Sequence, residues 1–315
     1  MKKKLGRHIA AICSAAVLTV GAACMFAGCT SNHPEVTITY TFNGKDYKVE
    51  YTLSRLDAPQ TVKHFIELAD AGYYNGTIIH DYNGSSTDGA LYGGGYKLNE
   101  EGNDIEPIDY FTELPRLEKE KKMKFTQSVW MNNSGRAPLY TLYGEFEGNG
   151  VHSETDEYRH SYGALVMYYS KKPVSAEELL NVTVVRADKG KDNDGEKYQS
   201  SPYAMNSATS LFYTYLGGSS SKLDKDYAVF GMVKDKTSLD ALIDAIDDFK
   251  GELDDEESFT KTTKEALDAY DHLSDYFSAE VQKFFGTVRT GGGDAEYNTP
   301  VETPITIKSV KVNKY

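Results

Sequence analysis

Residues 57–82, DAPQTVKHFIELADAGYYNGTIIHDY, spell a helix, a stop, a tight turn and a strand, in that order. Asp57 is placed to cap the helix, with Gln60 three residues on to reciprocate. Pro59 falls in the first turn, where its missing N–H costs nothing. Val62, Phe65, Ile66 and Ala69 fall at i, i+3, i+4 and i+7 and make one apolar stripe, while Lys63, Glu67 and Asp70 take the opposite face. Gly72 stands where a left-handed residue ends a helix. Asn75-Gly76 is a turn signal, and Thr77-Ile78-Ile79 opens a β-branched strand. A short helix thus covers an apolar surface and hands the chain straight into a sheet.

The flanks say what kind of sheet. Val36, Ile38, Tyr40 and Phe42 alternate with threonines, Asn43-Gly44 makes a turn, and Tyr47, Val49, Tyr51 and Leu53 alternate back. That is a hairpin with one face inward. At the far end Ile305, Ile307, Val310 and Val312 predict the strand that closes the same sheet. Leu239, Leu242, Ile243 and Ile246 form the stripe of a second helix. Between these lie Glu118 to Lys122, predicted to be a solvated helical face, and Trp130, predicted to sit in a buried strand. Residues 247–300 form an extension whose Leu267, Tyr270, Leu273, Phe277, Val281, Phe284 and Phe285 recur at helical spacing and predict a core-packing helix, broken off by Gly291-Gly292-Gly293.

The first residues do not belong to the fold. Lys2, Lys3, Lys4 and Arg7 precede an apolar run from 9 to 26, which reads as an export signal over 1–28. The run ends in Phe26-Ala27-Gly28-Cys29, which resembles the bacterial lipobox. Cys29 would then be lipidated and become the new N-terminus, with 29–35 as a tether; the alternative is an uncleaved signal anchor. The three cysteines are Cys13, Cys24 and Cys29, so none would remain to form a disulfide inside the folded domain. Removing four basic and no acidic residues before Cys29 takes the net charge from −13 to −17. Such a surface repels nucleic acid and anionic headgroups, so contact with the membrane would run through the lipid alone. The seven histidines are scattered and suggest no metal site. Asp192-Asn193-Asp194-Gly195 looks faintly like a calcium loop, but Gly190 and Ser201 stand where ligands are needed.

The run Ala58-Pro59, Thr61-Val62, Phe65, Gly72-Tyr73-Tyr74, Asn75-Gly76-Thr77 and His80 resembles the cyclophilin family of peptidyl-prolyl isomerases. Further stretches agree. Gly94-Gly95 resembles the family's Gln-Gly-Gly-Asp, with Gly93 at the Gln and Leu91 at a Met. Tyr143-Gly144-Glu145-Phe146 and His160 to Met167 resemble its Gly-Glu-Phe and its His-x-x-Gly-x-x-x-Met. Ser210-Leu211-Phe212-Tyr213 resembles Ser-Gln-Phe-Phe, and Leu223-Asp224 to Val233 resembles Leu-Asp-x-x-His-x-x-Phe-Gly-x-Val with Tyr227 at the His. The resemblance implies a mainly β fold over 36–315: a closed antiparallel barrel capped by two helices, enlarged by insertions at about 97–135, 186–205 and 247–300.

It also implies a chemistry. An X–Pro bond turns slowly because partial double-bond character sets a barrier of roughly 18–20 kcal/mol. Catalysis needs an apolar pocket for the ring and a donor aimed at the prolyl nitrogen, whose lone pair localises in the twisted state. The family supplies an Arg directly after its first-strand His; here that place is Asp81, an acceptor. Leu91, Gly93, Met167, Leu211, Phe212, Tyr213, Leu223 and Tyr227 fall at the family's groove positions, and Arg136 is a substitute donor by its place in a polar loop. The expectation is an exported, lipid-anchored isomerase for proline-containing segments of exported proteins, without cofactor and of reduced activity. The alternative is a non-catalytic peptide-binding or holdase lipoprotein. A transporter's solute-binding lipoprotein would need two α/β lobes, which the hairpin-led order does not give.

Overall fold

The computed structural model describes residues 31–108, 110–126, 129–131, 142–149, 151, 155, 157–168, 181–185, 198–202, 207–253, 259–263 and 295–315. The export signal, Cys29, Arg136, residues 186–197 and the helix expected across 267–285 lie outside the described residues.

Nine strands make the main sheet: β1 (Glu35–Phe42), β2 (Lys45–Leu53), β3 (Thr77–Ile78), β4 (Asp81–Asn83), β5 (Ala90–Gly93), β6 (Ala164–Met167), β7 (Phe212–Tyr215), β8 (Val229–Val233) and β9 (Thr306–Lys314). All pairs are antiparallel, in the order β3-β9-β1-β2-β8-β6-β7-β5-β4. The two ends of that order, β3 and β4, are adjacent pieces of one segment. Between them Ile79 N–H donates to Ile305 O (2.8 Å) and His80 N–H to Tyr92 O (3.0 Å). The sheet is therefore strongly curled. Asn43 and Gly44, at φ 44° and 72°, supply the two positive-φ residues that a tight hairpin between β1 and β2 demands.

Helix α1 (Pro59–Ala71) lays Val62, Phe65, Ile66 and Ala69 against the inside of the curl and ends at Gly72 with φ 78°. Phe65 is the hub, with ring centroids 5.1 Å from Tyr74, 5.5 Å from Phe212 and 5.1 Å from Phe230. Tyr73 and Tyr74 then tie the helix end to β7: their hydroxyls reach Ser210 Oγ (2.8 Å) and Ser210 O (3.3 Å). Helix α2 (Tyr110–Lys121) docks on α1 through Tyr110 Oη and His64 Nε2 at 2.9 Å. Burial pushes the His64 imidazole down to about 4, so it stays neutral. After the short α3 (Ser221–Asp224), helix α4 (Lys236–Glu252) buries Leu239, Leu242 and Ile246 as its stripe predicts.

Two local expectations are corrected. Asp57 does not cap α1. Its carboxylate is taken by Ser54 Oγ and by Thr155, whose N–H donates at 2.9 Å. The orphan N–H groups of Gln60 and Thr61 donate instead to Glu145, at 3.0 and 2.8 Å, from 85 and 84 residues away. Glu118 is buried and not solvated, because it accepts from Phe125 N–H (3.0 Å) and Lys124 Nζ (2.8 Å); Lys119, Glu120, Lys121 and Lys122 remain exposed. Within the expected insertion 186–205, Tyr198–Pro202 forms a strand that pairs with Asn181–Val185, which also pairs with Val129–Met131. Two of the insertions thus share one small sheet.

Candidate active site

Strand register places a row of aromatic rings on the outer face of the sheet. Tyr213 on β7 pairs with Tyr92 on β5 and with Val166 on β6, so these side chains share a face. Tyr168 and Tyr227 complete it. Ring centroids are 5.2 Å apart for Tyr92–Tyr213, 5.9 Å for Tyr92–Tyr168, 5.9 Å for Tyr168–Tyr227 and 5.9 Å for Tyr213–Tyr227. Tyr92, Tyr168 and Tyr227 are half-buried, while Tyr213 is only 4% exposed and forms the floor. Leu223, Val229 and Met232 pack at the edge of the row.

Under that floor stands a polar chain. His160 is fully buried; its Nδ1 lies 2.8 Å from Asp224 Oδ1, and its Nε2 lies 2.9 Å from Tyr213 Oη. Burial alone would raise the Asp224 carboxyl, but the hydrogen bonds from His160 outweigh it and hold the group below its ordinary range. Burial pushes the Tyr213 phenol well up, so it stays protonated. A cavity of about 130 Å³ adjoins the face at Tyr158, Asp224 and Tyr227, walled also by Asp57, Glu145 and Arg159.

Position 81 lies on the same face, since Asp81 pairs with Tyr92. It is not open. Asp81 is 2% exposed, and its Oδ1 accepts both the main-chain N–H and the side-chain Nδ2 of Asn298, each at 3.1 Å. The next residue, Thr299, donates to Ile79 O at 2.8 Å, and Val301 packs against the small cluster of Ile78, Tyr96 and Ile105. The segment 298–301 thus lies across this end of the face. Glycine is required close by: at Gly94 φ is 90°, and a Cβ would fall 2.4 Å from Ser210 O. Among the described residues no group of three or more His, Cys, Asp or Glu is arranged to hold a metal, and no helix is long and apolar enough to cross a membrane.

Residues 37–183 match the family described as cyclophilin type peptidyl-prolyl cis-trans isomerase/CLD. Over those residues the chain carries a cyclophilin-type peptidyl-prolyl isomerase domain. Among solved structures it is similar to a cyclophilin type peptidyl-prolyl cis-trans isomerase of Cryptosporidium parvum, with TM-score 0.40 and 15% identity over 90% of this chain and 99% of that chain. A second structure of that Cryptosporidium parvum protein, in the presence of the dipeptide Ala-Pro, gives TM-score 0.34 and 18% identity over 66% and 84%. No curated protein matches.

In this isomerase domain the residues read from sequence separate. Tyr213, Leu223 and Tyr227 come together on the aromatic face. Leu91, Met167 and Phe212 do not: they point into the interior core with exposures of 0, 0 and 1%, because side chains alternate along a strand and the outward places belong to Tyr92, Val166 and Tyr213. Leu211 packs against the small cluster of Ile78, Tyr96 and Ile105. Gly93 faces inward, its missing Cβ 2.9 Å from Ile79 Cδ1. Tyr92, Tyr168 and the His160–Asp224 pair were missed. Alternation in Ala90-Leu91-Tyr92 carried the signal for Tyr92, since only one of two neighbours can share the face of Tyr213.

Proposed function

We propose that the protein is an exported peptidyl-prolyl isomerase of low turnover, held at the outer face of a membrane by lipid on Cys29, acting on extended proline-containing segments of other exported proteins. The observation that carries this is the tyrosine face itself. Flat amphipathic rings over Tyr213 suit a prolyl ring and its flanking peptide, and the domain is that of an isomerase. Low turnover follows from Asp81. A carboxylate engaged by Asn298 has no proton to give, and losing one preorganised donor typically costs about 10²–10³ in rate. The basic n-region, apolar run and lipobox-like end support export and anchoring. We take the curled sheet to close as a barrel, since both of its ends lie on the segment 77–83 and pair to either side.

A second reading, peptide binding without catalysis, is favoured by that same occupied carboxylate. Isomerisation of a proline peptide by the full chain in detergent separates the two. The expected result is a rate above the uncatalysed one that is suppressed by excess proline peptide; an uncatalysed rate with intact peptide binding leaves only the second reading. Arg136→Ala should leave turnover unchanged if Arg136 is an ordinary loop residue, and a loss would make it the donor. Cys29→Ser should release the protein from membranes, and continued attachment would rule out lipidation there.

A further inference from the structure

Between α4 and β9 the chain returns to the main sheet as a short ribbon. Thr260–Thr263 pairs antiparallel with Ala295–Asn298, and Phe259 at its root is 1% exposed, its ring 6.1 Å from that of Tyr82. From Asn298 the chain crosses position 81 and enters β9 at Thr306. The residues that cross are Asn298-Thr299-Pro300-Val301, themselves a proline-containing segment. Each of them is engaged. Asn298 gives its main-chain N–H and its Nδ2 to Asp81 Oδ1, Thr299 donates to Ile79 O, Pro300 is buried, and Val301 packs against Ile78, Tyr96 and Ile105. Asp81 and Tyr92 are paired across β4 and β5, so the segment lies at the end of the row of rings.

We infer that Asn298-Thr299-Pro300 is a resident ligand of the peptide site, that Asp81 is the specificity-determining residue beneath it, and that an incoming proline segment reaches this end of the face by displacing it. The inference rests on the peptide-binding isomerase reading above. The contacts state the preferred chemistry. One carboxylate oxygen takes a main-chain N–H and a side-chain amide from the residue two places before a proline. Any segment can offer the main-chain N–H, but only a donor side chain such as Asn supplies the second bond. An incoming Asn-x-Pro segment replaces like with like. An Ala-x-Pro segment leaves the buried carboxylate one donor short, and sites built around a hydrogen bond reject ligands that lack it.

Attachment at both ends makes the resident segment a strong competitor. The ribbon holds it on one side, and on the other Ile305, one residue before β9, accepts from Ile79 N–H at 2.8 Å. A short tether of this kind gives an effective concentration of about millimolar. The apparent affinity for an outside peptide is reduced by the fraction of molecules in which the segment is displaced. Displacement bares an acceptor and not a donor, so turnover stays limited by position 81 while peptide binding improves.

The test is calorimetric titration of the full chain in detergent with the peptide Tyr-Asn-Thr-Pro-Val-Glu, the sequence of residues 297–302. Asn298→Ala weakens the resident segment and leaves the face intact. That protein should bind the peptide about tenfold more tightly than the wild type, the worth of one hydrogen bond to a charged group. The same peptide with Ala in place of Asn should lose a similar factor on the Asn298→Ala protein. A second measurement needs no variant. Saturating the wild type with the peptide should remove hydrogen-exchange protection from the Asn298 amide, held by Asp81, and leave that of Ile79, held by Ile305. Equal affinities of the two proteins, or an Asn298 amide still protected in the saturated wild type, overturn the inference and leave the isomerase reading standing. Binding to neither protein overturns it as well, and the isomerisation assay then judges the isomerase reading on its own.

Discussion

Two ends of one sheet face have gone different ways. Around Asp81 the face is filled by the chain itself: Asn298 supplies two donors to one carboxylate oxygen, Thr299 holds Ile79 O, and Val301 packs against the cluster of Ile78, Tyr96 and Ile105. Around Tyr213 it is a row of rings, of which Tyr92, Tyr168 and Tyr227 are half-buried, laid over a buried imidazole. At the first end an acceptor stands where the resembled family has a donor, and that acceptor is satisfied internally. The second has kept its apolar surface and added a hydroxyl. A peptide-binding surface and the catalytic donor beside it are thus separable, because packing of rings needs only shape, whereas a donor must be left unsatisfied until substrate arrives.

The largest effect expected from breaking this contrast comes at position 81. Asp81→Arg restores the family's residue type in sequence but not its surroundings. It would place a guanidinium where two N–H groups of Asn298 already point, leaving donors facing donors in a buried site. We expect a loss on the order of 3–5 kcal/mol, the size seen when one partner of a buried charged pair is removed, and no gain in isomerase rate. Urea unfolding and the isomerisation assay together read this. Wild-type stability with increased turnover would mean that the contact of 298–301 with this end of the face is incidental. Asn298→Ala, which removes one of the two donors, should cost less, about 1–3 kcal/mol.

Much of the fold could be read in the sequence because its signals are local. The stripe of α1, the turn at Asn43-Gly44 and the left-handed Gly72 each follow from a few neighbouring residues, and all three stand in the structure. What could not be read is long-range. Nothing near Gln60 says that its N–H is met by Glu145, and a plausible local cap at Asp57 is pre-empted by Ser54 and Thr155. The expected groove residues divide between two faces for a related reason. Matching on Gly94-Gly95 fixes a count along the chain, but a face is fixed by cross-strand pairing, and Tyr213 pairs with Tyr92 and not with Leu91. The partnership of Asp81 with Asn298 spans 217 residues and leaves no periodic trace.

Glu145 offers a smaller effect that sharpens the comparison, since it lines the cavity at the tyrosine end together with Asp224 and Tyr227. Burial drives its carboxyl up to about 7, against which the N–H groups of Thr61 and Gln60 pull it down. A carboxyl raised in the folded state binds its proton more tightly there than in the unfolded chain. Its stabilising contribution is therefore complete below the unfolded value of 4.5 and is lost as pH rises towards about 7. The difference in pKa corresponds to something on the order of 3 kcal/mol at most. Glu145→Gln keeps an acceptor for the start of α1 and abolishes the titration. The wild-type urea midpoint should fall between about pH 4.5 and about pH 7 while that of Glu145→Gln stays level over the same window. Parallel curves would mean that water reaches Glu145 through the cavity, and the tyrosine end would then rest on a hydrated wall instead of a dry one.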